Sequence, residues 1–264
     1  MDAIAVQSYD FVNSRYFVSP DHDIVAIFSH RGTKAFSLRA LELAKEQFGA
    51  TTVLITGSNS PISNKADICI ETCPQENCGA FTISLTSAIV RILQWVDMYS
   101  EGLIERFKIW LESFRLPFDN QKLPKFSNKL ILVGDLIREP IAHEVALKIS
   151  ETTYLPVRSY GLEQFLHGPR VTLDNESSII AFTASSQDRQ SSLIKYANTI
   201  GIDLIEVNDN QQSFVPLPKE FNWLAQLVWG QQLTLELARK LGTNPDTMRR
   251  DQNIYVNANK ELSL

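Results

Sequence analysis

Short β-branched, apolar runs alternate along the chain with longer stretches in which apolar residues recur at helical spacing. The runs cover residues 24–28, 52–56, 66–71, 129–134, 178–183 and 202–207, and stretches such as 38–48 and 189–200 fall between them. Apolar strands separated by amphipathic helices predict parallel sheets joined by crossover helices. A longer helical pattern runs from about Ala80 to Phe114 and gives way to Leu116-Pro117-Phe118-Asp119-Asn120-Gln121-Lys122-Leu123-Pro124, where prolines and polar residues read as a linker. The pattern therefore predicts an α/β chain of two domains, residues 1–117 and residues 125–264 with a C-terminal tail.

The two halves repeat each other. Strand 24–28, the loop from Ser29, a helix ending near Gly49 and strand 53–55 recur as strand 179–182, the loop from Ala184, a helix ending near Gly201 and strand 204–207. Upstream of each copy, Val6-Gln7-Ser8-Tyr9 matches Val157-Arg158-Ser159-Tyr160. A duplicated domain is the simplest account. In the second half a strand at 129–134 and a helix at 139–153 precede the Val157 segment, whereas the chain starts where their first-half counterparts would end. The first copy is thus expected to lack its opening strand-helix unit. A strand at 3–8 is then expected to pair directly with 24–28, or another chain is expected to cover the open edge.

The formal net charge of −5, with Lys and Arg scattered, argues against a nucleic-acid partner, which needs a basic face. A hydrophobic fraction of 44% and a charged fraction of 21% describe a globular rather than a disordered chain. No apolar run is long enough for a membrane span and no signal-like segment follows Met1-Asp2, so no membrane partner and a cytoplasmic location are expected. Cys69, Cys73 and Cys78 have no histidine close by in sequence and read as reduced thiols, with no disulfide framework and no metal site.

Candidate chemistry lies at three places. Ser29, His30, Arg31, Gly32, Thr33 and Lys34 follow a strand and open a helix, a geometry that aims backbone N–H groups at one spot, and their side chains add donors suited to a phosphate. A solvated, capped turn explains the same residues equally well. The second copy of that loop, Ala184-Ser185-Ser186-Gln187-Asp188, carries an acid and no cations, so the first loop is the better phosphate site. Glu144, Lys148 and Glu151 share one stripe of the helix after Gly134, either as a base beside a cation or as a surface ion-pair ladder. His167, before Gly168-Pro169, stands at a chain reversal that can present its imidazole to a ligand, although a lone loop histidine is more often structural.

Together, Ala146-Leu147-Lys148-Ile149-Ser150-Glu151, Tyr154 and the segment from Glu163 to Pro169 resemble the A-L-K-x-x-E and E-x-x-H-G-P patterns of the double sugar isomerase domain family, represented by the isomerase half of glucosamine-6-phosphate synthase. Residues 29–34 resemble that family's S-x-S-G-x-T phosphate loop, and Thr82 falls on a substrate-side threonine. The resemblance implies two flavodoxin-like domains, a sugar phosphate ligand, a homodimer, and no metal or organic cofactor. It assigns Glu151 as the base moving a proton between C1 and C2, Lys148 as the stabiliser of the enediolate, and His167, given across the dimer, as the ring-opening group. The implied function is a phosphosugar isomerase or deaminating isomerase acting on a hexose 6-phosphate or its amino derivative. A non-catalytic sugar-phosphate-binding or regulatory protein is the alternative. Arg31 and Lys34 put charge where the family has hydroxyls, the Gly-Thr-Ser turn of the family's first strand has no counterpart, and neither does a glutaminase domain. The tail at 244–251 is more like those of isomerases and deglycases, and Lys260 is a weak match to the synthase's tail lysine.

Overall fold

The computed structural model describes residues 2–14, 18–96, 102–113, 123–124, 129–184, 188–209, 217 and 221–262. The chain divides into two compact units, residues 1–99 with 249–264, and residues 100–248. Compactness thus groups the tail with the first unit and residues 100–113 with the second. The expected linker at 116–124 lies outside the described residues except for 123–124.

The first unit contains α1 (Ser8–Asn13), β1 (Ile24–Phe28), α2 (Ala35–Glu42) continued by a π-helical turn (Leu43–Gln47), β2 (Thr51–Thr56), β3 (Ile68–Glu71) and α3 (Ile83–Trp95). Its sheet is parallel in the order β1-β2-β3, with Ile24 opposite Thr51 and Val53 opposite Ile68. The central strand buries Val53, Leu54 and Ile55, and Ile27, Leu41, Leu54 and Ile62 form a core cluster between sheet and helix.

Of the two alternatives for the open edge, pairing by residues 3–8 fails. Residues 2–7 carry no regular structure and Ser8–Asn13 is a helix, so no strand at 3–8 pairs with β1. In the second unit the matching segment is a strand because it has a neighbour to bond; here no such neighbour exists among the described residues, and a helix satisfies its own backbone. Helix α1 is anchored by rings instead, Tyr9 against Phe36 at 4.8 Å and Phe11 against Phe48 at 6.2 Å. Strand β1 consequently ends the sheet, and Ile24 and Phe28 are 49% and 54% exposed.

The second unit contains α4 (Leu103–Ser113), β4 (Leu130–Gly134), α5 (Arg138–Thr153), β5 (Arg158–Gly161), α6 (Leu162–His167), a 3₁₀ turn (Pro169–Thr172), β6 (Ser178–Thr183), α7 (Asp188–Ile200), β7 (Asp203–Asn208) and α8 (Asn222–Leu241). A last helix, α9 (Asn253–Lys260), returns to the first unit. The second sheet is parallel in the order β5-β4-β6-β7, and its central strands β4 and β6 are buried along their whole length. The pattern read as one long helix at 80–114 yields two, α3 and α4, with Gly102 in the left-handed region (φ +79°) immediately before α4.

Helix α5 is wedged between the sheet and α8. A Cβ at Gly230 would stand 2.2 Å from Val145 Cγ2, so the two helices approach too closely there for any side chain larger than hydrogen. Gly134 is equally constrained, since a Cβ would stand 2.1 Å from the Arg138 carbonyl oxygen at the tight β4–α5 turn. These approaches fix the position from which α5 presents its polar stripe.

Candidate functional site

In the first unit, the loop after β1 is pinned by its backbone. Ser29 is buried; its N–H donates to the Ile55 carbonyl at 3.0 Å, and its own carbonyl accepts the Thr56 hydroxyl at 2.7 Å and the Gly32 N–H at 3.1 Å. Gly32 takes φ +64°, and a Cβ there would strike Ser60 Oγ at 2.2 Å. Thr33 and Lys34 are exposed at the start of α2. The Arg31 guanidinium lies 4.9 Å from the Phe81 ring centroid, and the His30 imidazole meets the same ring edge-on at 5.6 Å.

The segment opposite this loop is organised by Glu76. Its carboxylate accepts the N–H groups of Thr82, Ile83 and Ser84 at 3.1, 3.2 and 2.8 Å, and so closes the N-terminus of α3. Burial pushes this carboxyl up, but the hydrogen bonds from Ser84, Thr82 and Ile83 outweigh it and hold Glu76 below its ordinary value. Thr82 immediately precedes α3, half-buried, with its carbonyl accepting the Thr86 hydroxyl. The Glu76 N–H reaches His30 Nε2 at 3.4 Å, which asks that nitrogen to accept and therefore favours neutral imidazole. Burial lowers the His30 pKa, Glu76 raises it and Arg31 lowers it, with a net fall. The sequence reading marked Thr82 and missed Glu76; an acid just ahead of a Thr-Ile-Ser helix start was its only sequence signal.

In the second unit, α5 brings Lys148, Glu144 and Glu151 together. Lys148 Nζ donates to Glu151 at 2.8 Å and stands 3.5 Å from Glu144. Its side chain is only 8% exposed, and those of Glu144 and Glu151 are 21% and 23% exposed, so the group is no surface ladder. Burial raises the Glu144 pKa, Lys148 lowers it in part, and Glu151 adds to the rise. An ammonium has three donors; two face these carboxylates, leaving one for another acceptor.

His167 is not part of that group in the described residues. It closes α6 instead of standing in a free loop, 74% exposed, with Nε2 2.9 Å from Glu163 Oε1, and Glu163 is also held by Arg189. Glu163 lies four residues before His167, one more than E-x-x-H-G-P requires, so Gln164 occupies the family's glutamate position. An open cleft at the ends of β4 and β5 is lined by Asp135, Leu136, Glu139, Glu163 and Arg189, among others.

At the ends of β4 and β6, where a doubly wound sheet places its ligand crevice, the second unit fills the space itself. Asp135 accepts the Ala184 N–H at 3.0 Å, Arg138 stands 3.6 Å from Asp135 and bonds Asp209 at 2.7 Å, and Gln226 also donates to Asp209. Burial raises the Asp135 pKa, with Ala184 and Arg138 opposing. Ser185, Ser186 and Gln187 of this loop lie outside the described residues. Lys260 is exposed on α9, bonded to Asn257.

The fold, two parallel sheets flanked by helices, superposes on solved phosphosugar isomerases. Over 92% of the chain the fold superposes on tagatose-6-phosphate ketose/aldose isomerase from Escherichia coli, covering 75% of that chain, with a TM-score of 0.74 at 20% identity. It superposes on the C-terminal domain of glucosamine-fructose-6-phosphate aminotransferase from Francisella tularensis with a TM-score of 0.71 at 19% identity, covering 92% of this chain and 77% of that one. Residues 3–98 match the SIS domain family. Beyond that matched segment, the chain resembles the isomerase domain of glutamine–fructose-6-phosphate aminotransferase. It is 22% identical over 224 residues to the isomerizing aminotransferase of Haemophilus influenzae, covering 76% of this chain and 37% of that protein. The chain spans less than half the length of the curated relatives it matches.

Proposed function

We propose that the protein is a phosphosugar isomerase or deaminating isomerase acting on a hexose 6-phosphate or its amino derivative, without metal or organic cofactor. The observation that carries this reading is the buried Lys148 hydrogen-bonded to Glu151. Proton abstraction beside a carbonyl needs a placed carboxylate and a cation for the oxyanion that forms. Glu151 takes the proton from one carbon of the C1–C2 pair, the electrons move onto the carbonyl oxygen, and Lys148 stabilises that enediolate until the proton returns to the neighbouring carbon. The 29–34 loop and Thr82 hold the phosphorylated sugar, and a homodimer supplies His167 for ring opening. The relatives, an isomerase and an isomerizing aminotransferase, support the same class of chemistry.

Turnover of fructose 6-phosphate or glucosamine 6-phosphate by the full chain tests this. Glu151→Gln keeps the shape but cannot accept the proton, and is expected to lose about 10²- to 10⁴-fold in turnover with binding nearly intact. Retention of half the activity sinks the role given to Glu151. A second reading, a non-catalytic sugar-phosphate-binding or regulatory protein, draws on His167 being engaged by Glu163 on its own helix and on charges replacing hydroxyls at Arg31 and Lys34. Ligand-dependent thermal stabilisation without turnover favours it.

A further inference from the structure

We propose that Phe81 is a positioning residue for anion binding at the 29–34 loop, holding the Arg31 guanidinium against its ring so that N–H donors left unengaged there serve the ligand's phosphate. The proposal rests on the reading of this loop as the phosphate-holding element, and adds a residue that the loop motif does not contain. Arg31 is half-buried and its guanidinium carbon lies 4.9 Å from the Phe81 ring centroid. A cation over a ring is held by the ring's quadrupole, and a guanidinium carries five N–H donors, more than one ring contact can occupy. Among the described residues no hydrogen bond or ion pair takes those donors.

A carboxylate on the neighbouring segment is already engaged. Glu76, the carboxylate close enough to His30 to act on it, accepts three N–H groups of the α3 start, and no Glu76–Arg31 ion pair forms among the described residues. The same capping fixes Thr82, the residue after Phe81, and His30 packs on the ring from another side. A long side chain ordinarily loses rotational freedom when it binds an anion; one already held by a fixed ring has less to lose.

The test measures binding of inorganic phosphate, fructose 6-phosphate and unphosphorylated fructose to the full chain by calorimetry in low-salt, phosphate-free buffer. Arg31→Ala is expected to weaken both phosphate-bearing probes by at least tenfold. Phe81→Leu is expected to weaken them about two- to fivefold, the scale of a partly exposed cation–π contact. Phe81→Tyr keeps the π face and is expected to restore wild-type affinity, and Phe81→Leu is expected to add no further loss in the Arg31→Ala background. If Arg31→Ala weakens binding while Phe81→Leu is silent, or costs the same in both backgrounds, the role of Phe81 is refuted and the phosphate loop stands. If neither phosphate probe binds, or Arg31→Ala leaves binding unchanged, the phosphate reading fails and the proposal with it.

Discussion

Replacing Lys148 with methionine isolates what the buried cation does for the fold. At an effective dielectric of about 20, charges at 2.8 and 3.5 Å attract by about 6 and about 5 kcal/mol before desolvation is subtracted. Burying the ions cancels much of that gain, but removing one partner leaves the others uncompensated, which costs about 3–5 kcal/mol in buried sites. Glu144 and Glu151 keep some access to water, at 21% and 23% exposed, so about 3 kcal/mol at pH 8 is the expected loss for Lys148→Met. The loss should depend on pH. Glu144, already raised by burial, loses the cation that lowers it and rises further above its unfolded value of about 4.3. The folded variant then binds more protons than the unfolded chain, and its stability falls as pH climbs through that window. Urea unfolding followed by the fluorescence of Trp229, buried in the same unit, reads the effect. Equal destabilisation at pH 5 and pH 8, or none at pH 8, would show that the cluster is solvated and the burial argument wrong.

Other outcomes follow from single contacts. Gly230→Ala should cost about 1–3 kcal/mol by overpacking against Val145, and Val145→Ala in the same chain should recover part of it; independent, additive losses would rule out the close helix approach. Amide exchange in β1 should be much faster than in β6, which is paired on both sides, and comparable protection would mean that the β1 edge is covered in solution. His30 has a lowered folded pKa, so the wild type should lose stability relative to His30→Gln as pH falls below about 6.5, the unfolded value, towards the folded one; parallel pH profiles would remove His30 from the Glu76 contact.

The central strands were legible because β2, β4 and β6 are buried on both faces and so nearly continuous in apolar residues: β6 was read at its observed limits, and β2 and β4 to within one residue. The Lys148 stripe was legible for the same kind of reason, since helical spacing alone places positions 144, 148 and 151 together. Its burial was not, because that depends on α8 pressing against α5 from far along the chain. The segment at 6–9 misled because its similarity to 157–160 carries a strand propensity that only a neighbouring strand can realise. The Asp135–Arg138–Asp209 group was invisible because Arg138 and Asp209 are 71 residues apart and no periodicity links them.

That last group bears on how duplicated domains part company. Two copies begin with equivalent crevices, and each mutation that supplies an internal carboxylate to one of them removes a reason to keep ligand donors there. With Asp135 on the Ala184 N–H and with Asp135 and Asp209 facing one guanidinium, the described donors of the second crevice are engaged by the chain's own carboxylates. A crevice engaged in this way ties Arg138, the first residue of α5, to the end of β7 and so anchors the helix that carries Lys148.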